Sequence, residues 1–390
     1  MKLGVDRHEA LAAGVRTIAP TRHDATRRGD GSANALLSPR MFASCGLHSS
    51  VMALSTSPDI AELIADTEAE ILRLVHGTDP ATAGVYEMCR YHLGLDGSGS
   101  SGKRVRPLLG LLAYASITGD HHRALPGAAA VELGHNFSLV HDDIEDGDRE
   151  RRHRPTLWAT HGIPQAINTG DILFSLSRIA LHRLSDLGFS DRTVLRLMRL
   201  YDETCVALCE GQYLDIWMAE HDDGLSVELY FDMIGRKTAA LIAASIEAGA
   251  VLATEDEHVI ARYRAFGWDL GIAFQLNDDL LGIWGPEVAT GKEPTDVPRK
   301  KKTLPVIYAF EHATPADRER LVALYANGSL DGDHVGEIVE ILERTGAREY
   351  TRDQALLHRD RALAELDAAG TIERAPRERL EEIIRSVISA

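Results

Sequence analysis

The stretch from Ala128 to Asp146 reads AAAVELGHNFSLVHDDIED. Ala128 to Leu139 is an apolar run of helical character. Val140-His141-Asp142-Asp143-Ile144-Glu145-Asp146 then packs four acids into five residues. At about 3.6 residues per turn, Asp142 and Asp146 share one face, with Asp143 about 100° round. Like charges this close weaken a helix, yet apolar residues lead directly into them. Carboxylates gathered with few other ligand types suit Mg²⁺, a hard cation that keeps its waters and shares oxygens with phosphates. Taken alone, such a motif is more often a solvated helix end.

A second cluster, Phe274-Gln275-Leu276-Asn277-Asp278-Asp279, follows Gly267 and Gly271, whose spacing allows close helix packing. Two acids in so apolar a stretch need a cation partner or a polar cavity. Two such clusters, far apart in sequence, predict facing walls of one diphosphate–metal site. The cations an anionic ligand needs are also placed. Lys103, Arg104 and Arg106 stand in GKRVRP, and Arg151-Arg152-His153-Arg154-Pro155 follows the first cluster. Lys237-Thr238 begins a long Ala-rich helix, and Lys292 and Lys300-Lys301-Lys302 follow the second cluster. Arginine forks suit phosphate oxygens, and lysine adds mobile point charge. Each run alone is more often a solvated face; adjacency to the aspartates shifts the balance.

The whole chain fits that picture. Its 390 residues carry a formal net charge of −17, which argues against a nucleic-acid partner. Four cysteines, Cys45, Cys89, Cys205 and Cys209, form neither a disulfide framework nor a zinc motif, so a reducing cytoplasm is expected. No apolar run reaches the roughly 18 residues of a transmembrane segment. Residues 1–56 lack a lasting apolar period and read as a disordered tail. The tail is either a docking segment for an unknown partner or a stretch upstream of a true start at Met52. Ser57-Pro58 reads as N-cap and first turn. Residues 57–390 then show helical periodicity throughout. The expected fold is an all-α bundle of about ten or more helices, with the motifs facing a central cavity.

In chain order, GKRVRP, HNFSLVHDDIED, RRHRPT, GQYLD (Gly211 to Asp215), RKTAALIAAS, GIAFQLNDD and the lysine loop resemble the trans-isoprenyl diphosphate synthases, or polyprenyl synthetases. The short-chain geranylgeranyl and farnesyl diphosphate synthases of bacteria are most similar. The resemblance covers roughly residues 60–390. It implies an all-α, homodimeric enzyme that uses Mg²⁺, three ions with bound diphosphate, to condense isopentenyl diphosphate with an allylic diphosphate. It further implies Lys103, Arg106, His135 and Arg152 as ligands of the isopentenyl diphosphate group. Asp142 and Asp146 resemble Mg²⁺ ligands, with Asp143 supporting, and Asp278 resembles the ligand of a further Mg²⁺. Arg151, Lys237, Lys292 and Lys301 resemble the cations that hold the allylic diphosphate. Thr238 and Gln275 resemble neutral dipoles facing a carbocation.

Phe137 and Ser138, about one turn before Asp142, are candidates for setting product length. A single aromatic there, with no insertion in DDIED, resembles geranylgeranyl producers, whereas a pair of aromatics resembles farnesyl producers; Gly134 and Ala128 to Ala130 are expected to leave room beyond. Two positions depart from the family pattern. Gly282 stands where a third aspartate is usual, which is expected to loosen one metal or its waters. His153 replaces a glycine, with a local loop change expected. A class I terpene cyclase shares the first motif but lacks a need for GKRVRP. A non-catalytic subunit of a heteromeric synthase is the other alternative, and Gly282 keeps it open.

Overall fold

The computed structural model describes residues 58–97, 102–221, 224–285, 296–326, 330–370 and 372–387. The tail 1–56, Ser57 and Lys292 lie outside them. Pro58 opens the first helix, α1 (Pro58–Leu74), followed by α2 (Ala83–Leu93) and α3 (Val105–Thr118). A 3₁₀ turn, His122–Ala124, leads into α4 (Leu125–Glu145). A hairpin of β1 (Glu150–Arg151) and β2 (Arg154–Pro155) precedes α5 (Leu157–His161), α6 (Ile163–Asp186) and α7 (Asp191–Glu220). Then come α8 (Val227–Ile234), a π-helical turn Gly235–Ala239, α9 (Ala240–Ala253) and α10 (Glu257–Trp284). The C-terminal part holds α11 (Leu304–His312), α12 (Pro315–Ala326), α13 (Gly332–Arg344), α14 (Ala347–Ala368) and α15 (Arg374–Val387).

Two helices are apolar nearly all round, the pattern of an element buried inside a bundle. In α4, Ala129, Ala130, Leu133 and Val140 are buried, and α6, α3 and α1 cover it. In α9, Leu241 through Glu247 and Gly249 through Leu252 are buried, against α3 and α10. Gly267 and Gly271 do allow close packing: a β-carbon on either would sit 2.7 and 2.6 Å from the α-carbons of Ala243 and Ala239. Side-chain caps from Ser190, Ser226, Asp256 and Asp331 fix where α7, α8, α10 and α13 begin, each satisfying an otherwise orphaned N–H. A second apolar cluster around Ile283, Val306, Leu321 and Ile338 packs the helices that follow α10. Among the described residues no helix is long and apolar enough to cross a membrane.

Two local features differ from the sequence reading. Lys237 and Thr238 do not begin a helix; they sit in the π turn that joins α8 to α9. Such turns interrupt regular bonding and occur often at functional sites. The RRHRP run forms a tight hairpin pairing Glu150 with Pro155 and Arg151 with Arg154. Its two turn residues, Arg152 and His153, have φ of 53° and 61°. Asn-Gly is the usual choice for such a turn, and each side chain in the left-handed region costs about 1–2 kcal/mol.

The middle cation of GKRVRP is structural. Arg104 is buried, with Nη1 donating to Glu132 Oε1 at 2.8 Å, Nε to Glu68 Oε1 at 3.1 Å and Nη2 to the Leu93 carbonyl at 2.7 Å. Burial raises the Glu132 carboxyl, but Arg104 and the Asn136 amide outweigh that and hold it below its ordinary value. The stabilisation is therefore complete above the unfolded carboxyl's range near 4.5 and is lost as pH falls through the depressed value. Glu132→Gln leaves Arg104 without its buried counter-charge and is expected to lower unfolding free energy by about 3 kcal/mol near neutral pH. Urea titrations should show this gap narrowing as pH falls below the ordinary carboxyl range.

Candidate active site

The C-terminal end of α4, the last turns of α7 and the π turn meet around one salt bridge. Lys237 Nζ donates to Asp215 Oδ2 at 2.5 Å. Asp142 and Asp146 lie within the electrostatic reach of the same ammonium group. Burial, against the pull of Lys237 and with repulsion from Asp146, pushes the Asp142 carboxyl up to about 7. Burial likewise lowers Lys237, but Asp215 and Asp142 reverse this, and the lysine stays a cation. Asp143 is turned the other way: it is buried, and its Oδ1 accepts from Arg151 Nε at 2.7 Å. It orients that arginine on the hairpin. Only burial and charge act on Asp142 and Asp146, with no hydrogen-bond donor among the described residues. An all-oxygen donor set short of cations fits Mg²⁺.

Across the cleft, α10 supplies the second group. Asp279 is buried and accepts from the Tyr230 hydroxyl, from the Leu304 N–H at 3.0 Å and from Gln275 Nε2 at 3.2 Å. Gln275 Oε1 in turn accepts from the Thr238 hydroxyl at 2.9 Å. This relay fixes the amide's orientation and leaves the Thr238 oxygen lone pairs for another partner. Asp279 is thus a positioning group, while Asp278 sits in the field of Arg106 and Lys301. Of the three consecutive lysines, Lys300 donates to the Tyr325 carbonyl at 2.8 Å and Lys302 to the His221 carbonyl at 3.4 Å. Lys301 faces Asp296, Asp279, Asp215 and Asp278, which together overcome burial and raise its pKa. Its side chain is hemmed in by protein yet reaches solvent, the mark of an open cleft.

Gly282 has a physical reason. A β-carbon there would come within 2.0 Å of Asp296 Oδ2. The carboxylate missing from the helix is replaced in space by one from the following loop, tied by Asp296 N–H to Gly282 O at 3.3 Å and Lys301 N–H to Asp296 O at 2.9 Å. The sequence shows Asp296 only as a lone acid five residues before Lys301, and the reading above missed it. Asp215, quoted within GQYLD without a role, was also missed.

A separate cationic pocket lies between α3, α4 and the hairpin. Arg106 Nη1 donates to His135 Nε2 at 3.0 Å. A guanidinium can only donate, so the His135 proton sits on Nδ1. Burial first, then Arg106, Arg152 and Arg151, keep that imidazole well below its usual pKa and neutral. Among the described residues, buried Arg106 Nε and His92 Nε2 have no hydrogen-bond partner. His92, near Arg151, Arg152 and Arg104, is another member that motif reading passed over. Lys103 is half-buried, two residues before the first turn of α3. A cavity of about 890 Å³ lies elsewhere, lined by Met88, Tyr91, Gln165 and Asn168, and none of the site's charged residues lines it.

Below the acids the walls turn apolar. Val131 lies three turns before Asp142 on α4, Leu208 two turns before Asp215 on α7, and Leu241 one turn beyond Lys237. These three pack as a small buried cluster of their own. Ser138 lies on the Asp142 side of α4. Phe137 turns toward α6, edge-on to Phe174 at 5.1 Å. The room expected at Gly134 is taken: a β-carbon there would meet the Tyr201 hydroxyl at 2.2 Å, which is itself 2.6 Å from Ser177 Oγ.

The Polyprenyl synthetase family model matches residues 85–342. A short chain isoprenyl diphosphate synthase of Methanothermobacter thermautotrophicus is 41% identical over 260 residues, covering 66% of this chain and 78% of that protein. A (2E,6E)-farnesyl diphosphate synthase of Mycobacterium bovis is 38% identical over 278 residues, 69% and 76% of the two chains. The crystal structure of a geranylgeranyl pyrophosphate synthetase from Pyrococcus horikoshii superposes with a TM-score of 0.77 at 32% identity, covering 85% of this chain and 97% of that one. The ordered motifs, the all-α bundle and these relatives agree: the chain belongs to the polyprenyl synthetase family.

Proposed function

We propose that this protein is a Mg²⁺-dependent prenyltransferase that condenses isopentenyl diphosphate with an allylic diphosphate to give a short-chain trans-prenyl diphosphate. The geranylgeranyl product is favoured, with farnesyl next. The observation that carries this reading is one cleft with two differently built anion sites. One combines carboxylates from α4 and α10 with Lys237 and Lys301. The other has arginines and a neutral imidazole.

Asp142, Asp146 and Asp278 would hold Mg²⁺, three ions with bound diphosphate, and the metal would supply positive charge beside the departing diphosphate oxygens. Lys237, Lys301 and Arg151, with Lys292 from outside the described residues, hold the departing diphosphate, and Asp143 keeps Arg151 aimed. The fixed oxygens of Thr238 and Gln275 lie where a preorganised dipole stabilises an allylic cation without reorganising. Lys103, Arg106, His135 and Arg152 hold the second diphosphate, whose bond is not broken. The Arg106 Nε–H, which has no acceptor among the described residues, gains one there. The isopentenyl double bond attacks the cation, and the released diphosphate takes the proton lost on forming the new double bond. The apolar wall below excludes water, which would quench the cation. Asp296 beside Gly282 supports a complete second site, against a non-catalytic subunit.

The growing tail runs down the face of α4 past Ser138 toward Val131, Leu208 and Leu241. Val131 and Leu208 lie roughly 10–17 Å below Asp142 and Asp215 by helical rise, and Leu241 about 6 Å beyond Lys237. Phe137 and Phe174 form its wall toward α6. A homodimer is supported by the exposed Ile163, Ile167 and Ile179 on α6. Free Cys89, Cys205 and Cys209 suit a cytoplasmic location.

Incubation with Mg²⁺, isopentenyl diphosphate and dimethylallyl, geranyl or farnesyl diphosphate, read by mass spectrometry, should give one discrete longer prenyl diphosphate. Asp142→Ala should lower kcat by about 100-fold or more. No turnover from folded protein would sink the reading. On the same assay Ser138→Phe should shorten the product and Leu208→Ala lengthen it; unchanged products would place the tail elsewhere. Gly282→Asp, although it restores the usual family residue, should clash with Asp296 at a cost of about 1–3 kcal/mol. Adding Asp296→Gly should recover part of both activity and thermal midpoint.

A further inference from the structure

A different cluster of ligand-type side chains sits at the opposite end of α4. The Leu125 end of that helix is about 25 Å from Asp142 by helical rise. His121 and His122 precede it, and Asp66 reaches them from α1. His121 Nε2 is 2.7 Å from Asp66 Oδ2, and His122 Nε2 is 3.8 Å from the same oxygen. One ligand atom from each residue lies within 4.8 Å of the other two. The two imidazoles are stacked, centroids 4.1 Å apart and planes inclined by 24°, so neighbouring residues face one point.

The surroundings prepare this arrangement. His122 Nδ1 is 2.5 Å from Asp120 Oδ1. That bond holds the proton on Nδ1 and leaves Nε2 with its lone pair toward Asp66, the carboxylate–histidine pairing that orients metal ligands. Thr118 Oγ1 donates to the Asp120 carbonyl at 2.9 Å, which fixes the loop carrying Asp120. Glu62, one turn before Asp66 on α1, adds negative charge nearby. His122 is 61% exposed and His121 14%, so the point is open to water on one side.

We propose that Asp66 Oδ2, His121 Nε2 and His122 Nε2 form a second metal site, taking Zn²⁺ rather than Mg²⁺. Two imidazoles and one carboxylate are a borderline donor set that suits zinc, whereas Mg²⁺ prefers oxygen alone. Ligands about 2.0–2.2 Å from a tetrahedral zinc are separated by roughly 3.3 Å, within the observed spread, so small rotations close the site. Water completes the coordination. The ion displaces the proton shared by His121 and Asp66, so binding weakens in acid. Zinc there clamps α1 to the start of α4. The site stands independently of the proposed prenyl transfer.

The test is calorimetric titration of the chelator-stripped full chain with ZnCl₂ in excess MgCl₂, which keeps the aspartate cleft filled. One Zn²⁺ per chain is expected, at micromolar affinity. His122→Ala and Asp66→Asn should each bind at least tenfold more weakly, and Asp120→Asn should fall between them and the unaltered chain. Saturating zinc should raise the thermal midpoint by about 5 °C, a shift absent from His122→Ala, while prenyl transfer by that variant stays unchanged. Zinc binding of equal strength and stoichiometry in a His121→Ala/His122→Ala chain would overturn the proposal, as would the absence of saturable binding.

Discussion

Repulsion among carboxylates is the constraint around which this molecule is organised. Asp142, Asp146, Asp215, Asp278, Asp279 and Asp296 are drawn from three helices and a loop toward one cleft. Two like charges 4 Å apart repel by about 4 kcal/mol at an effective dielectric near 20. The fold opposes this with interleaved cations: Lys237 between Asp215 and Asp142, Lys301 between Asp296 and the α10 pair. It also neutralises part of the set by hydrogen bonding, as Tyr230, Gln275 and the Leu304 N–H do for Asp279. Asp142 and Asp146 receive no such donor among the described residues.

Holding charges in this tension needs rigid walls, and the bundle provides them by close contact. Gly267 and Gly271 bring α10 against α9 and the π turn, which sets the distance between Thr238 and Gln275. The π turn matters for the same reason. An extra residue in one turn rotates everything after it, so Lys237 and Thr238 face the cleft while α9 keeps its apolar surface in the core. The hairpin serves the other side. Its strained turn at Arg152 and His153 places Arg151 on the carboxylate site and Arg152 near the arginine pocket.

The two charged sites are built differently. In the first, carboxylates surround Lys237 and Lys301. In the second, arginines gather around His135, which burial keeps uncharged. Apolar side chains follow below, Val131 three turns down α4 and Leu208 two turns down α7, packed with Leu241. One set of helices thus provides charge at one level and hydrocarbon contact at another.

Composition and periodicity were enough for the all-α bundle, because buried helices such as α4 and α9 are written as long apolar runs. The ordered motifs named Asp142, Asp146, Asp278 and Lys237 as candidates, and the fold brings these charges into one another's reach. The division of labour within each motif was not legible. Arg104 and Asp279 read like their neighbours, and only burial and partners reveal them as structural. Gly282 read as a loss, because a sequence cannot show that Asp296 enters the space a side chain would fill. Gly134 read as open room for the same reason, until Tyr201 was seen to occupy it. Sequence determined which helices form and which charges they carry. Tertiary structure alone decided which atoms share each small volume, because that depends on close approaches between segments remote along the chain.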